Sequence, residues 1–271
     1  MIDSIGSCLR HVAVAACLTA GFASSAAAQV APPPLAEAPP GPQFMSRYDF
    51  HLSADAFASE DERFKWRARF GGDFDLVDYV RGRATFLVDL ENILGSERRP
   101  FDPNQANYTL EAATSARTRH AEIFFVFHHI SRHFADRPKI VAIAWNVAEA
   151  RALRRLTIKG TTIDLRADVG KIAAHAFVDY AWIADADVLL RRHVSPRVDA
   201  YARAYVETFG INPRLSSRAR QTGGRVEGGL RLPGAGGAVE LFAGYEHVVD
   251  ADANQRVPFG WAFAGFRLVT K

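Results

Sequence analysis

Residues 126–138 read VFHHISRHFADRP, in which two adjacent histidines, a serine, a third histidine and an aspartate close an apolar run. On an extended chain alternate side chains share a face, so His129 and Ser131 lie on one side and His128 on the other. A histidine two residues from a serine on one face places a base beside a nucleophile, the pairing that acyl transfer uses. His128, His129 and His133 are also the residue type that a metal selects, but His128 and His129 point apart and do not converge on one ion. A plainer reading is available for the same stretch. His133, Asp136 and Arg137 suit a solvated turn held by hydrogen bonds and weak surface ion pairs. Which reading applies depends on the elements that carry the segment.

The first 28 residues predict an export signal. Arg10 lies before the mostly apolar stretch 12–22, and Ala26 and Ala28 supply an A-x-A cleavage site. Both cysteines, Cys8 and Cys17, fall within this leader, so cleavage after Ala28 leaves no disulfide and no thiol site. Residues 29–43 include APPPLAEAPPGP and predict an extended linker. The remaining domain is 44–271. A net charge of +3 with interspersed signs gives no basic block for nucleic acid. No phosphate-binding glycine loop appears, and nothing calls for a cofactor. No apolar run reaches the roughly 20 residues of a membrane helix, so a membrane location would have to use strands.

From Arg47 onward the hydrophobic period is close to two. In RFKWRARFGGDFDL, Phe64, Trp66, Ala68, Phe70, Phe74 and Leu76 share one face, and Lys65, Arg67, Arg69, Asp73 and Asp75 share the other. Ile163, Leu165, Ala167 and Val169 oppose Asp164, Arg166 and Asp168 in the same way. Marking turns predicts about twelve strands, at roughly 44–58, 62–78, 82–93, 106–117, 120–131, 139–150, 154–169, 173–189, 196–209, 218–232, 237–249 and 258–270.

Many of these segments are longer than a soluble strand of about five or six residues. Aromatics lie near strand ends, and long connections alternate with short ones. The fold class expected is an all-β, transmembrane, antiparallel up-and-down barrel in the outer membrane, because closure alone leaves no unpaired backbone in lipid. Its partners would be outer-membrane lipid and the barrel-assembly machinery. A soluble periplasmic barrel around an apolar ligand cavity shares the period and remains an alternative.

The chain resembles bacterial outer-membrane barrels in its leader, proline-rich lead and alternating strands. Gly265, Phe266 and Leu268 are similar to parts of their C-terminal assembly signal, whereas Lys271 stands where those barrels usually end on an aromatic. The segment His129, Ser131, His133, Asp136 resembles the H-x-S-x-H-x-x-D frame of a family of outer-membrane proteins of unassigned activity. At H-x-S alone it is similar to outer-membrane phospholipase A and lipid A deacylase. That resemblance implies Ser131 as nucleophile and His129 as base at the lipid–water boundary of the outer leaflet. Those enzymes follow the serine with asparagine, where this chain has Arg132, and orient the histidine from a neighbouring strand.

Here the neighbouring strand reads KIVAIAWNVAEA. If Ile143, Trp145 and Val147 face lipid, Asn146 faces away from His129, and Glu149 lies deep. The sequence therefore predicts an incomplete triad. Lys65, Arg67, Arg69, Asp73, Asp75, Asp164, Arg166 and Asp168 are expected to point into the lumen, pairing across it or lining a narrow hydrated path. The leading expectation is a barrel with a structural, binding or narrow-channel role, non-enzymatic; the alternative is an outer-leaflet lipid acyl hydrolase.

Overall fold

The computed structural model describes residues 37–135 and 141–270. The expected leader, most of the expected linker, Asp136 and Arg137 lie outside the described residues. Twelve strands follow in chain order: β1 (Gln43–Phe57), β2 (Trp66–Asp78), β3 (Arg83–Gly95), β4 (Asp102–Arg117), β5 (Glu122–Phe134), β6 (Ile143–Ile158), β7 (Thr161–Ala176), β8 (Tyr180–Ser195), β9 (Val198–Ile211), β10 (Gln221–Pro233), β11 (Gly237–Asp252) and β12 (Val257–Thr270). Each pairs antiparallel with its sequence neighbours, and β1 pairs with β12 to close the barrel.

The connections at 79–82, 118–121, 159–160, 196–197 and 234–236 lie at the end of the barrel where β1 starts and β12 finishes. The described connections at 58–65, 96–101, 177–179, 212–220 and 253–256 lie at the opposite end, and three of them are longer. We call these the short-turn and long-loop ends. The asymmetry is the one expected of short periplasmic turns and longer outer loops.

Polarity is inverted relative to a soluble protein. Phe50, Phe70, Val88, Phe125, Val169, Val226 and Leu241 are exposed on the outside, while Asp55, Arg67, Asp75, Arg83, Asp187 and Glu246 are buried in the interior. An apolar outer wall around a charged interior is stable where the surroundings are lipid, and it excludes the soluble barrel with an apolar cavity. Val169 lies near the middle of β7 on the outer wall. Val169→Arg is expected to cost about 2–4 kcal/mol when the barrel is folded into vesicles, as a midplane charge does. Urea titration of wild type and variant in the same lipid measures it, and an unchanged midpoint would mean that this face does not meet hydrocarbon.

Two turns fall later than the sequence predicted. The segment 151–153 was expected to turn, but Arg151 is a lumen-facing strand residue, and the hairpin closes at Lys159 and Gly160, both with positive φ (49° and 76°). That pair forms the two-residue turn whose twist matches the strands it joins. The expected turn at 170–172 is also strand; β7 continues to Ala176. Alternation places Tyr180 and Trp182 on one face, but a register shift between them turns Tyr180 inward while Trp182 is exposed.

The interior is filled. Near the long-loop end Ile143, Trp145, Val147, Ile172, Tyr180 and Phe209 form one apolar cluster, and a second, of Phe57, Phe64, Tyr201, Phe242, Trp261 and Phe263, reaches deeper into the barrel. Across the mouth lies the end of β11, where Val249, Asp250, Ala251, Asp252 and Ala253 are all buried with no alternation. Its register with β12 shifts between Val248 and Asp252. Gln105 donates to Ala251 O at 2.7 Å, Arg132 to Asp250 O at 2.7 Å and Tyr180 to Asp250 Oδ2 at 2.6 Å, so β4, β5 and β8 all hold this inward fold.

The 58–65 connection joins the same closure. Arg63 pairs with Asp252 and donates to Asp61 Oδ2 at 2.8 Å. The Arg63 hydrogen bond holds the Asp61 carboxyl below its ordinary range. Because this pKa is depressed in the folded state, its stabilisation is present above the unfolded value and is lost as pH falls through the folded one. Protease cleavage within 58–65 is expected to accelerate on acidification, and Asp61→Asn is expected to show the faster cleavage already at neutral pH.

Candidate active site

β5 runs from the short-turn end to the long-loop end. Glu122, Phe124, Val126, His128 and Ile130 are buried in the lumen, whereas Ile123, Phe125 and Phe127 are exposed on the outer wall. His129 and Ser131 continue that outer row above Phe127, as the alternation predicts. Leu110 and Tyr108, their cross-strand partners on β4, are exposed on the same wall. The two polar residues therefore stand at the upper edge of the apolar band.

His129 pairs with Asn146 on β6, and its Nδ1 lies 2.6 Å from Asn146 Oδ1. This overturns the expectation that Asn146 faces away. Ile143, Trp145 and Val147 are at most 3 % exposed because they pack inside the barrel mouth, so Asn146 between them is turned outward. Beside it, Asn146 pairs with Ala174 but Val147 pairs with Ile172, leaving Ala173 as an extra residue in β7. A bulge at this level re-aims neighbouring side chains and is a frequent companion of functional sites.

Ser131 Oγ lies 3.2 Å from His133 Nε2. The His133 ring packs edge-on against Tyr108, with centroids 5.3 Å apart and planes at 81°. Ser131 is thus flanked by two histidines of its own strand, with His129 tied to Asn146 and His133 steadied by Tyr108. With Nδ1–H donating to Asn146, the lone pair of His129 is left on Nε2, the tautomer a general base requires.

His128 is in the lumen, 3.5 Å through Nδ1 from Glu149 Oε1, so His128, His129 and His133 do not form a metal set. Most of the charged residues named above form ion pairs inside the barrel. Arg67 pairs with Asp55 and with Glu246 (2.9 Å), Arg69 with Asp89 (2.5 Å), and Asp73 and Asp75 with Arg47 (2.9 and 3.1 Å). Arg166 lies 2.7 Å from Asp185 and 3.5 Å from Asp168, and Asp164 takes Arg155 and Arg191, both at 2.5 Å. Lys65 is the exception. The strand begins at Trp66, Phe64 turns inward, and Lys65 Nζ binds Ser59 O at 2.6 Å in the loop instead of entering the lumen. A cavity of about 40 Å³ lies among Arg67, Asp89, Gln105, Ile130 and Trp261, room for a few waters.

Tyr108 and Glu111 are functional candidates that the sequence reading missed, and Asn146 was set aside there on its expected parity. For Asn146 the available signal was a lone polar residue between two large apolar ones, opposite His129 in a hairpin.

No family model matches the chain, and no curated protein matches it. Solved structures similar to it include the outer membrane protein Omp33 of Acinetobacter baumannii, at 10 % identity and a TM-score of 0.42, over 83 % of this chain and 97 % of that one. LpxR from Salmonella typhimurium is 9 % identical with a TM-score of 0.45, over 81 % and 99 %. The translocator domain of the autotransporter NalP from Neisseria meningitidis is 12 % identical with a TM-score of 0.38, over 99 % and 95 %.

Proposed function

We propose that this chain is a bacterial outer-membrane barrel that hydrolyses acyl esters of outer-leaflet lipid, with Ser131 as nucleophile, His129 as base and Asn146 as the residue that orients the base. One observation carries the reading: the hydrogen bond from His129 to Asn146 on the lipid-facing wall, two residues from Ser131. It supplies the role whose expected absence favoured a non-enzymatic barrel. Export through a cleaved leader, insertion by the barrel-assembly machinery and contact with outer-leaflet lipid belong to the same reading.

In the first step the Ser131 oxygen attacks the ester carbonyl as His129 Nε2 takes the hydroxyl proton. The carbon–oxygen bond to the lipid breaks, and the departing alkoxide leaves with that proton as an alcohol. Water, deprotonated by the same histidine, then releases the fatty acid and restores the serine. Asn146 is neutral, so it fixes the tautomer without the charge stabilisation that a carboxylate gives the imidazolium.

The test is fatty-acid release by the protein refolded in detergent, given phospholipid or lipopolysaccharide, with and without calcium, and followed by mass spectrometry. Release by wild type that disappears in Ser131→Ala is expected. Equal release from both proteins, or none from either, would remove the hydrolase reading and leave a structural barrel.

A further inference from the structure

Behind His129, on the lumenal side of the same strand, His128 belongs to a second constellation that the surface chemistry does not use. We propose that Glu111, His128 and Glu149 bind a divalent first-row transition-metal cation at mid-depth in the barrel, with zinc as the representative. One ligand atom from each of the three lies within 4.8 Å of the other two, and all three residues are buried. Glu111 and His128 are direct cross-strand partners, and Glu149 projects from β6 on the other side of β5.

Three observations point to a ligand beyond the clustering itself. Glu149 Oε2 and His128 Nε2 are buried without a hydrogen-bond partner, and Glu149 as a whole is 3 % exposed. Unsatisfied lone pairs at such depth are costly and need an explanation. Charge is also out of balance. Glu111, Glu149, Asp168 and Asp185, four carboxylates, are gathered around the two guanidiniums of Arg151 and Arg166. The apolar clusters of Phe124, Val126 and Leu153 on one side and Ile130, Trp145 and Val147 on the other seal this layer. An excess of two negative charges in such surroundings calls for cations or protons. Finally, Gly170 faces Glu149 across the β6–β7 pair, and a Cβ there would lie 2.6 Å from Glu149 Cβ. The missing side chain makes room for the Glu149 side chain at its base.

The donor set selects the ion. One imidazole with two carboxylates matches zinc and its neighbours, whereas calcium takes six to eight oxygen ligands. Arg151 does not compete for the same electrons. It donates to both Glu111 oxygens (2.6 and 2.8 Å) and to Glu149 Oε1 (3.2 Å), but each carboxylate oxygen has a second lone pair.

The experiment is refolding of the full barrel with zinc or calcium chloride, extensive dialysis, and metal analysis of the folded fraction, independent of any hydrolysis. Retention of zinc near one equivalent, no retention of calcium, and loss of zinc in both Glu149→Gln and His128→Gln are expected. No zinc retained by wild type, or zinc retained by Glu149→Gln, would overturn the proposal. Loss in Glu149→Gln with retention in His128→Gln would also overturn it, by moving the ion to Asp168 and Asp185. Should the variants not fold, zinc-edge X-ray absorption of the wild-type protein decides: an imidazole in the first coordination shell supports the site, and an all-oxygen shell refutes it.

Discussion

His129→Ala is expected to lower fatty-acid release by about ten-thousand-fold, because the serine then loses the group that takes its proton. Asn146→Ala should be milder by about two orders of magnitude, as removal of an orienting group is compared with removal of the base. It leaves the imidazole present but frees its ring and its tautomer. His133→Ala distinguishes two histidines that flank one hydroxyl. Ser131 Oγ is hydrogen-bonded to His133 Nε2 at 3.2 Å, while His129 carries the oriented geometry. If His129 is the base, His133→Ala changes the rate by less than about tenfold, consistent with a positioning contact. The measurement is the initial rate on a soluble short-chain ester in detergent, with kcat and KM separated. A collapse of kcat in His133→Ala with a near-normal His129→Ala would assign the base to His133 and leave the His129–Asn146 pair as a structural tie. Neither variant should change the unfolding midpoint much, since both side chains sit on the outer wall.

The second large effect concerns stability. Arg83 is fully buried at the short-turn end, where its guanidinium reaches Asp75 at 2.9 Å and Glu122 at 3.1 Å and stacks over Phe124 at 5.4 Å. It joins β2, β3 and β5 through groups that cannot be rehydrated without opening the barrel. Arg83→Met keeps most of the volume but strands two carboxylates, and the expected cost is about 3–5 kcal/mol. Arg47 at 3.1 Å from Asp75 and Arg117 at 3.9 Å from Glu122 offer partial replacement, which favours the lower part of that range. Adding Asp75→Asn and Glu122→Gln to Arg83→Met should recover most of the loss, because the penalty comes from the unpaired charges more than from the lost attraction. Urea unfolding in vesicles, followed by tryptophan fluorescence, reads both effects. A triple variant as unstable as the single one would mean that Arg83 acts through packing on Phe124.

Much of the architecture was legible because a strand exposes two faces and this chain colours them differently. Phe70 against Arg69 on β2, and Val169 against Asp168 on β7, are separated by period alone, and that period continued long enough to count twelve strands. The lengths of the connections then showed which end held the loops. Turn positions were harder. The sequence predicts a turn at 151–153, whereas in the barrel Arg151 is an inward strand residue with Glu111 and Asp168 as partners. It likewise predicts a turn at 170–172, whereas Gly170 is a strand residue facing Glu149. Lumenal partners come from distant strands, so a local reading has no way to credit them.

His129 and Ser131 were identifiable as a pair from the sequence by itself, since i and i+2 on a strand share a side whatever the fold. The third residue was decided only by tertiary structure. Alternation says that Asn146 opposes Trp145; it does not say which of them meets lipid. Through most of the barrel, charge inside and apolar groups outside supply that sign. At the long-loop end the interior holds Trp145, Tyr180 and Phe209, and the inward fold at 249–253 closes over them. Polarity there no longer marks the side, because both faces of β6 bury or border apolar surface. Only the closed barrel, by committing Trp145 to the mouth, turns Asn146 toward His129.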